Sequence, residues 1–162
     1  MSSRANRWNR RIHRMLLLWL RQIGINFDAH YAEATRMGTI DGRFTAVVVV
    51  AAALATITSL INIADFDLPI AEQKSLKIAP QCLTAVCSVV VIIANQMRDR
   101  QKYDENSTRH RQAAEQYDDL SAYIQVSTLM DEKPEPGMFL RTVMDRFRSI
   151  KQFGPDLPEG FV

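Results

Sequence analysis

The chain has 162 residues, a formal net charge of +2 and an isoelectric point near 8.7. This length is enough for one sizeable core, and so mild a charge does not by itself indicate a nucleic-acid-binding protein. The two cysteines, Cys82 and Cys87, exclude a disulfide-rich scaffold, because on one helix they point to different faces. We expect both to be small core residues.

Residues 1–43 are predicted to form a basic amphipathic helical region, with a glycine-containing join over residues 24–43. Apolar and aromatic residues recur at three- and four-residue steps from Trp8 to Ile23, and arginines gather on the opposite side. Such a helix suits the plane of an anionic membrane surface. The residues assigned to this contact are Trp8, Arg11, Arg14 and Trp19. The alternative is that the apolar stripe packs on the protein's own helices.

Two uncharged stretches, residues 44–64 and 78–97, follow this region. Each has about the 20 residues that a helix needs to cross a bilayer, and a backbone in lipid must satisfy its polar groups internally. Residues 65–77 form a polar connection so short that the two spans must be antiparallel neighbours. Two buried helices of a soluble protein are the alternative, but residues 46–55 have no polar face. The predicted fold class is an all-α membrane protein with a two-span transmembrane helical hairpin.

Polar side chains in the second span lie on one side of the helix, within about a 60° arc. They are Gln81, Thr84, Ser88 and Asn95, to which we add Thr56 and Ser59 near one face of the first span. Polar groups in lipid are costly without a partner, so they either line a conduit in an oligomer or form hydrogen bonds between helices. The absence of charged residues from both spans argues against a proton relay or a voltage sensor.

Basic residues flank the two spans on one side. Eight arginines precede the first span and five basic residues follow the second, whereas the connection has only Lys74 and Lys77. Basic residues near span ends favour the cytoplasmic side. We therefore expect an integral membrane protein with both termini in the cytoplasm.

Residues 98–132 are predicted to form a long cytoplasmic helix that continues the second span. Its heptad seam consists of Tyr103, His110, Tyr117, Leu120 and Ile124. This seam is too weakly apolar to hold a dimer alone, so it is expected to pack on the N-terminal helix or to assist oligomerisation. His110 is a candidate ligand or pH sensor, although an ordinary hydrogen bond is the commoner role. Residues 133–162 comprise a Pro-rich break, a short helix with one apolar face, and an extended tail.

The sequence contains no arrangement of residues that indicates an enzyme. We find no phosphate-binding glycine loop, no metal-ligand cluster and no activated nucleophile. The prediction is a non-enzymatic protein without catalytic residues, metal or cofactor.

The order of these parts resembles the SLATT family of two-span effectors associated with nucleotide-sensing and nucleotidyltransferase partners in bacterial conflict systems. In that family the helix after the second span often has an Ala-x-x-Tyr-x-x-Leu-x-x-x-Ile-like pattern. The matching residues here are Ala114, Tyr117, Leu120 and Ile124, with Pro155 and Pro158 near the end of the chain. The resemblance covers most of residues 10–158. It implies an effector that oligomerises in the membrane and opens a pore when a partner senses a signal.

Two functions are therefore expected. The first is an oligomeric two-span membrane effector that forms a pore or perturbs the membrane under the control of a separate sensor protein. The alternative is a membrane-anchored scaffold of an envelope or virion, which links a membrane to a protein lattice through its cytoplasmic helices and tail. The expected partners are the lipid bilayer, copies of the same chain and one further protein; nucleic acid is not expected.

Overall fold

The computed structural model describes residues 8–63 and 70–157, and the side chains of these residues except 62–63 and 70–77. It contains four helices. They are α1 (Arg10–Ile63), α2 (Ile70–Gln101), α3 (Tyr103–Leu129) and α4 (Pro136–Phe153). No strand occurs in the described part of the chain, so the all-helical fold class is confirmed.

Helix α1 is longer than the sequence indicates. It begins after Asn9, whose side-chain oxygen accepts a hydrogen bond from the backbone N–H of Ile12 at 3.0 Å and so caps the helix. The predicted join over residues 24–43 is helical throughout. At Gly24 and Gly42 an added Cβ would meet nothing within 4 Å. Neither glycine is therefore required by a neighbouring group that packs closely against the backbone.

The predicted continuation of the second span is interrupted at one residue. Helix α2 ends at Gln101 and α3 begins at Tyr103. Between them Lys102 has a φ of 48°, a left-handed conformation that few non-glycine residues adopt. The cytoplasmic helix predicted over residues 98–132 is therefore two helices that meet at Lys102.

Parts of the predicted connection and tail lie outside the described residues. They are residues 65–69 and 158–162, the latter including Pro158 of the family pattern. Residues 1–7 of the predicted basic region and Ala64, the last residue of the predicted first span, also lie outside the described residues. The second half of the predicted connection is helical, because α2 begins at Ile70.

The helices form two compact units, and α1 supplies residues to both. Unit 1 consists of Met1–Arg36 and Glu105–Val162, and unit 2 of Met37–Asp104. In unit 1, α1, α3 and α4 enclose an apolar cluster. Its buried members are Leu16 and Ile23 of α1, Tyr117, Leu120 and Ile124 of α3, and Phe139, Val143 and Ile150 of α4.

The apolar stripe of the N-terminal region packs inside unit 1. Trp8 and Trp19 are partly buried against the cluster, and the indole N–H of Trp8 donates to the carbonyl oxygen of Pro134 at 2.9 Å. Trp8 and Trp19 therefore pack on the protein's own helices, which is the alternative to the expected contact with a membrane surface. Arg11 and Arg14 face outward, because they lie on the opposite side of α1.

Unit 2 has the opposite distribution of side chains. Its large apolar residues are exposed along both helices, while alanine, cysteine and threonine are buried between them. Only 11% of each apolar window is buried. By length and composition these two helices are apolar enough to cross a membrane.

Candidate functional site

The two helices of unit 2 pack along a seam of small side chains. Its buried members, seven residues apart on each helix, are Ala51 and Thr58 on α1 and Cys87 and Ala94 on α2. Spacing by seven keeps a seam on one side of a helix, and small residues let backbones approach closely. Cys87 is therefore a small core residue as expected, whereas Cys82 is exposed.

A pair of threonines forms a polar contact between the two helices, at the end of this seam. The hydroxyl oxygens of Thr58 and Thr84 lie 2.6 Å apart. Thr84 is also 2.9 Å from the carbonyl oxygen of Pro80, and Thr58 is 2.9 Å from that of Leu54. One hydroxyl can thus donate to the other while its partner donates to its own backbone, which satisfies both without a charge. Thr84 is an interhelical residue.

The first-span polar residues that the sequence indicated have no side-chain hydrogen bond to any side chain of α2 that the structure describes. Thr56 donates to the carbonyl oxygen of Ala52 at 2.9 Å, and Ser59 to that of Ala55 at 2.8 Å. Sequence reasoning missed Thr58. Ala51, Ala55 and Thr58 follow one another at steps of four and three residues, so they share one face of α1. This spacing could have identified Thr58.

The other three polar residues that the sequence indicated on α2 form a row that α1 does not cover. Gln81, Ser88 and Asn95 are exposed and seven residues apart, so they lie within about 40° of one another around the helix. Ser88 donates to the carbonyl oxygen of Thr84 at 2.8 Å. The side chains of Gln81 and Asn95 have no hydrogen bond to any residue that the structure describes. We call these three residues the polar row.

One end of unit 2 is held by an ion pair and an aromatic stack. The guanidinium group of Arg98 donates to both carboxylate oxygens of Asp41, at 2.6 and 3.0 Å, and this contact raises the pKa of Arg98. Phe44 and Tyr103 stack with ring centroids 5.9 Å apart. Asp41 pairs with Arg98 and Thr58 with Thr84, so residue numbers rise on α1 as they fall on α2. Tyr103 therefore packs against α1 at this end of unit 2, and it is not among the buried residues of the seam predicted on α3.

The rest of the predicted seam of α3 lies in unit 1, beside a cluster of buried polar groups. His110, Tyr117, Leu120 and Ile124 are all buried. The Nδ1 atom of His110 lies 2.9 Å from Nδ1 of His30 on α1. One turn before His110 in α3, Ser107 donates to the carbonyl oxygen of Ala34 at 2.9 Å.

Glu33 is the charged member of this cluster. Its side chain is 1% exposed, and Arg36 donates to its two oxygens at 2.9 and 2.5 Å. The hydrogen bond from Arg36 holds the pKa of Glu33 below its ordinary value, against the opposing effect of burial. Burial raises the pKa of Tyr117. Sequence reasoning found His110 but missed His30 and Glu33, because neither sits in a motif.

Comparison with known proteins identifies no relative of this chain. No family model, no curated protein and no solved structure matches the chain. Among the described residues, no group of three or more histidine, cysteine or acidic side chains could hold a metal ion.

Proposed function

We propose that the protein is an integral membrane protein in which α2 and the C-terminal half of α1 form a transmembrane hairpin. It associates with copies of itself through the polar row and acts as a non-enzymatic effector. The chain alone opens a conduit along α2 at a basal rate, and a separate protein partner controls how far opening rises above that rate.

The observation that carries the proposal is the exposed polar row on an otherwise apolar surface. Large apolar residues surround it, among them Val89, Ile92 and Ile93, each more than half exposed. In water that surface would be costly, since it exceeds what soluble monomers normally expose. In lipid the apolar surface is stable, but uncovered amides at Gln81 and Asn95 are not. A second copy supplies both polar partners and a covering surface.

The charge at the ends of the hairpin supports its orientation. Arg43, Arg98 and Arg100 lie within a few residues of the two span ends that carry the Asp41–Arg98 ion pair. Under the positive-inside rule this end faces the cytoplasm, and both termini lie on that side. The resemblance to two-span effectors points the same way.

The test is release of ions or dye from liposomes that contain the full-length protein. We expect the native chain to release contents and Ser88→Leu and Asn95→Leu to reduce release several-fold, because each replaces a polar group with an apolar one. Val89→Leu is the control: it changes an exposed apolar residue of the same helix and leaves release unchanged.

Subunit counting in the same liposomes separates the outcomes. A tight membrane with an oligomer that both leucine variants dissociate would contradict the conduit and leave the polar row as a contact between copies. A tight membrane with a monomer would contradict self-association as well. The second outcome favours the anchored scaffold, for which unit 1 offers exposed apolar attachment points such as Leu129 and Phe153.

A further inference from the structure

Two of the three histidines form a buried pair in unit 1. His30 of α1 and His110 of α3 are both buried, and their Nδ1 atoms lie 2.9 Å apart. A separation this short is a hydrogen bond, so one Nδ1 carries a proton and the other accepts it. At neutral pH one ring therefore carries its proton on Nδ1 and the other on Nε2. The Nδ1–H of the first ring donates to Nδ1 of the second. His13, the third histidine, is exposed.

The surroundings of the pair come from all three helices of unit 1. Helix α1 contributes Glu33, whose carboxylate is bound by Arg36. Helix α3 contributes Tyr117, whose ring stacks on His30 with centroids 5.7 Å apart. Helix α4 reaches this site through Phe147, edge-on to Tyr117 at 5.9 Å. Glu33 is thus the anionic group beside two groups that can become cations.

We propose that the His30–His110 pair is a proton-binding site through which mild acid loosens the packing of α1 against α3 within unit 1. The proposal is independent of the membrane function above, because every group in it belongs to unit 1. Neither histidine has a role in the conduit.

Uptake of the first proton preserves the contact. Burial lowers the pKa of both rings, but the Glu33 carboxylate opposes this effect at His110, whereas His110 adds to it at His30. We therefore assign the first proton to His110. A protonated His110 still donates its Nδ1–H to Nδ1 of His30. The positive charge lies beside the Glu33 carboxylate, which offsets part of its desolvation.

Uptake of the second proton breaks the contact. Two imidazolium rings would point N–H at N–H across 2.9 Å, with two like charges in a site closed to water. The hydrogen bond has no acceptor left, and leaving buried donors unpaired is costly. The rings must separate, and the packing of α1 on α3 must open for one of them to reach water.

The sign of the pH effect follows from burial, which lowers the pKa of both rings from the ordinary value of 6.5. As pH falls below that value, the unfolded chain binds more protons than the folded one. The free energy of unfolding of unit 1 therefore decreases from about pH 6.5 downward, until the folded pKa values are reached.

The experiment is thermal unfolding of the full-length protein in nanodiscs of zwitterionic lipid, followed by tryptophan fluorescence. Both tryptophans, Trp8 and Trp19, lie against the unit 1 cluster, so the signal reports on unit 1. We expect the midpoint to fall by several degrees between about pH 7.5 and about pH 5.5. The double variant His30→Gln/His110→Gln should lose most of this shift, and His13→Gln should retain it.

A native midpoint that stays constant over this range would overturn the proposal, as would loss of the shift in His13→Gln. If the double variant does not fold, ring nuclear magnetic resonance of the native protein decides. The His30 and His110 rings should each be less than half protonated at about pH 6.5, where an unfolded histidine is half protonated. Half protonation of both rings at that pH would refute the proton-binding site.

Discussion

At the scale of single residues, Glu33 is a buried carboxylate of unit 1 that depends on an ion pair. It is buried on α1, while its partner Arg36 remains 61% exposed. The ion pair is therefore asymmetric: the carboxylate depends on two hydrogen bonds that lie at the surface. Removing Arg36 would leave a buried charge, whereas removing the charge of Glu33 leaves a guanidinium group that is already more than half exposed.

We predict that Glu33→Gln lowers the free energy of unfolding of unit 1 at neutral pH by about 1.5–3 kcal/mol, the range for hydrogen bonds to charged groups. Because the folded pKa of Glu33 lies below its ordinary value of 4.5, this stabilisation is present above that value. It is lost as pH falls through the folded pKa. Denaturant unfolding followed by tryptophan fluorescence should thus show a large difference from the native chain at pH 7 and a small one in strong acid.

The control for this prediction is Glu105→Gln. Glu105 forms an ion pair with Arg109 at 2.6 Å, but both side chains are largely exposed, so its loss should cost less than about 1 kcal/mol. Equal effects of the two substitutions would mean that burial of Glu33 contributes nothing to the strength of its ion pair.

At the scale of elements, unit 2 depends on the small size of its seam residues. Ala94 is 7% exposed, whereas its neighbour Ile93 is 51% exposed on the outer surface. We predict that Ala94→Leu forces the helices apart at a cost of about 1–3 kcal/mol, while Ile93→Leu is tolerated. The reactivity of Cys87, in the same seam, measures the effect. In a Cys82→Ser background, the rate at which a small apolar thiol reagent modifies Cys87 should rise several-fold with Ala94→Leu and stay unchanged with Ile93→Leu. Unchanged reactivity would show that α2 does not pack through Ala94.

The elements also show how far the sequence determines this fold. Uncharged runs of span length predicted both helices of unit 2, and periodicity predicted the face of α4 that buries Phe139, Val143 and Ile150. The break at Lys102 was not predictable, because no glycine or proline marks it. The apolar stripe from Trp8 to Ile23 was identified correctly, but periodicity cannot tell a membrane surface from the protein's own helices. Only the packing of α3 and α4 decides that.

The buried polar cluster was less accessible to sequence reasoning. His110 lies in a heptad seam and could be singled out, but its partner His30 is 80 residues away. No local pattern links them, and an isolated glutamate on a helix normally faces solvent. Long-range pairs of this kind require the tertiary structure, whereas Thr58 could have been found by extending the spacing of Ala51 and Ala55.

At the scale of the whole molecule, the two units differ in which side chains they bury. Unit 1 encloses a cluster of eight buried side chains, as a protein in water does, whereas the buried residues of unit 2 are small and its large apolar side chains are exposed. The two natural cysteines test this contrast, since Cys82 is exposed on α2 and Cys87 is buried. If α2 spans a bilayer, Cys82 faces lipid. Exposure of its side chain then gives access to apolar reagents only.

We therefore predict that, in intact proteoliposomes, a membrane-impermeant charged maleimide labels neither cysteine, while a small apolar maleimide labels Cys82 in preference to Cys87. Cys82→Ser should remove most of the apolar labelling and Cys87→Ser little of it, with mass spectrometry as the measurement. Dissolving the membrane in a denaturing detergent should let the charged reagent reach both thiols, which verifies that each can react. Rapid labelling of Cys82 by the charged reagent in intact vesicles would place α2 in water. The exposed apolar surface of unit 2 would then have to be covered by protein, and both the transmembrane hairpin and the conduit would be wrong.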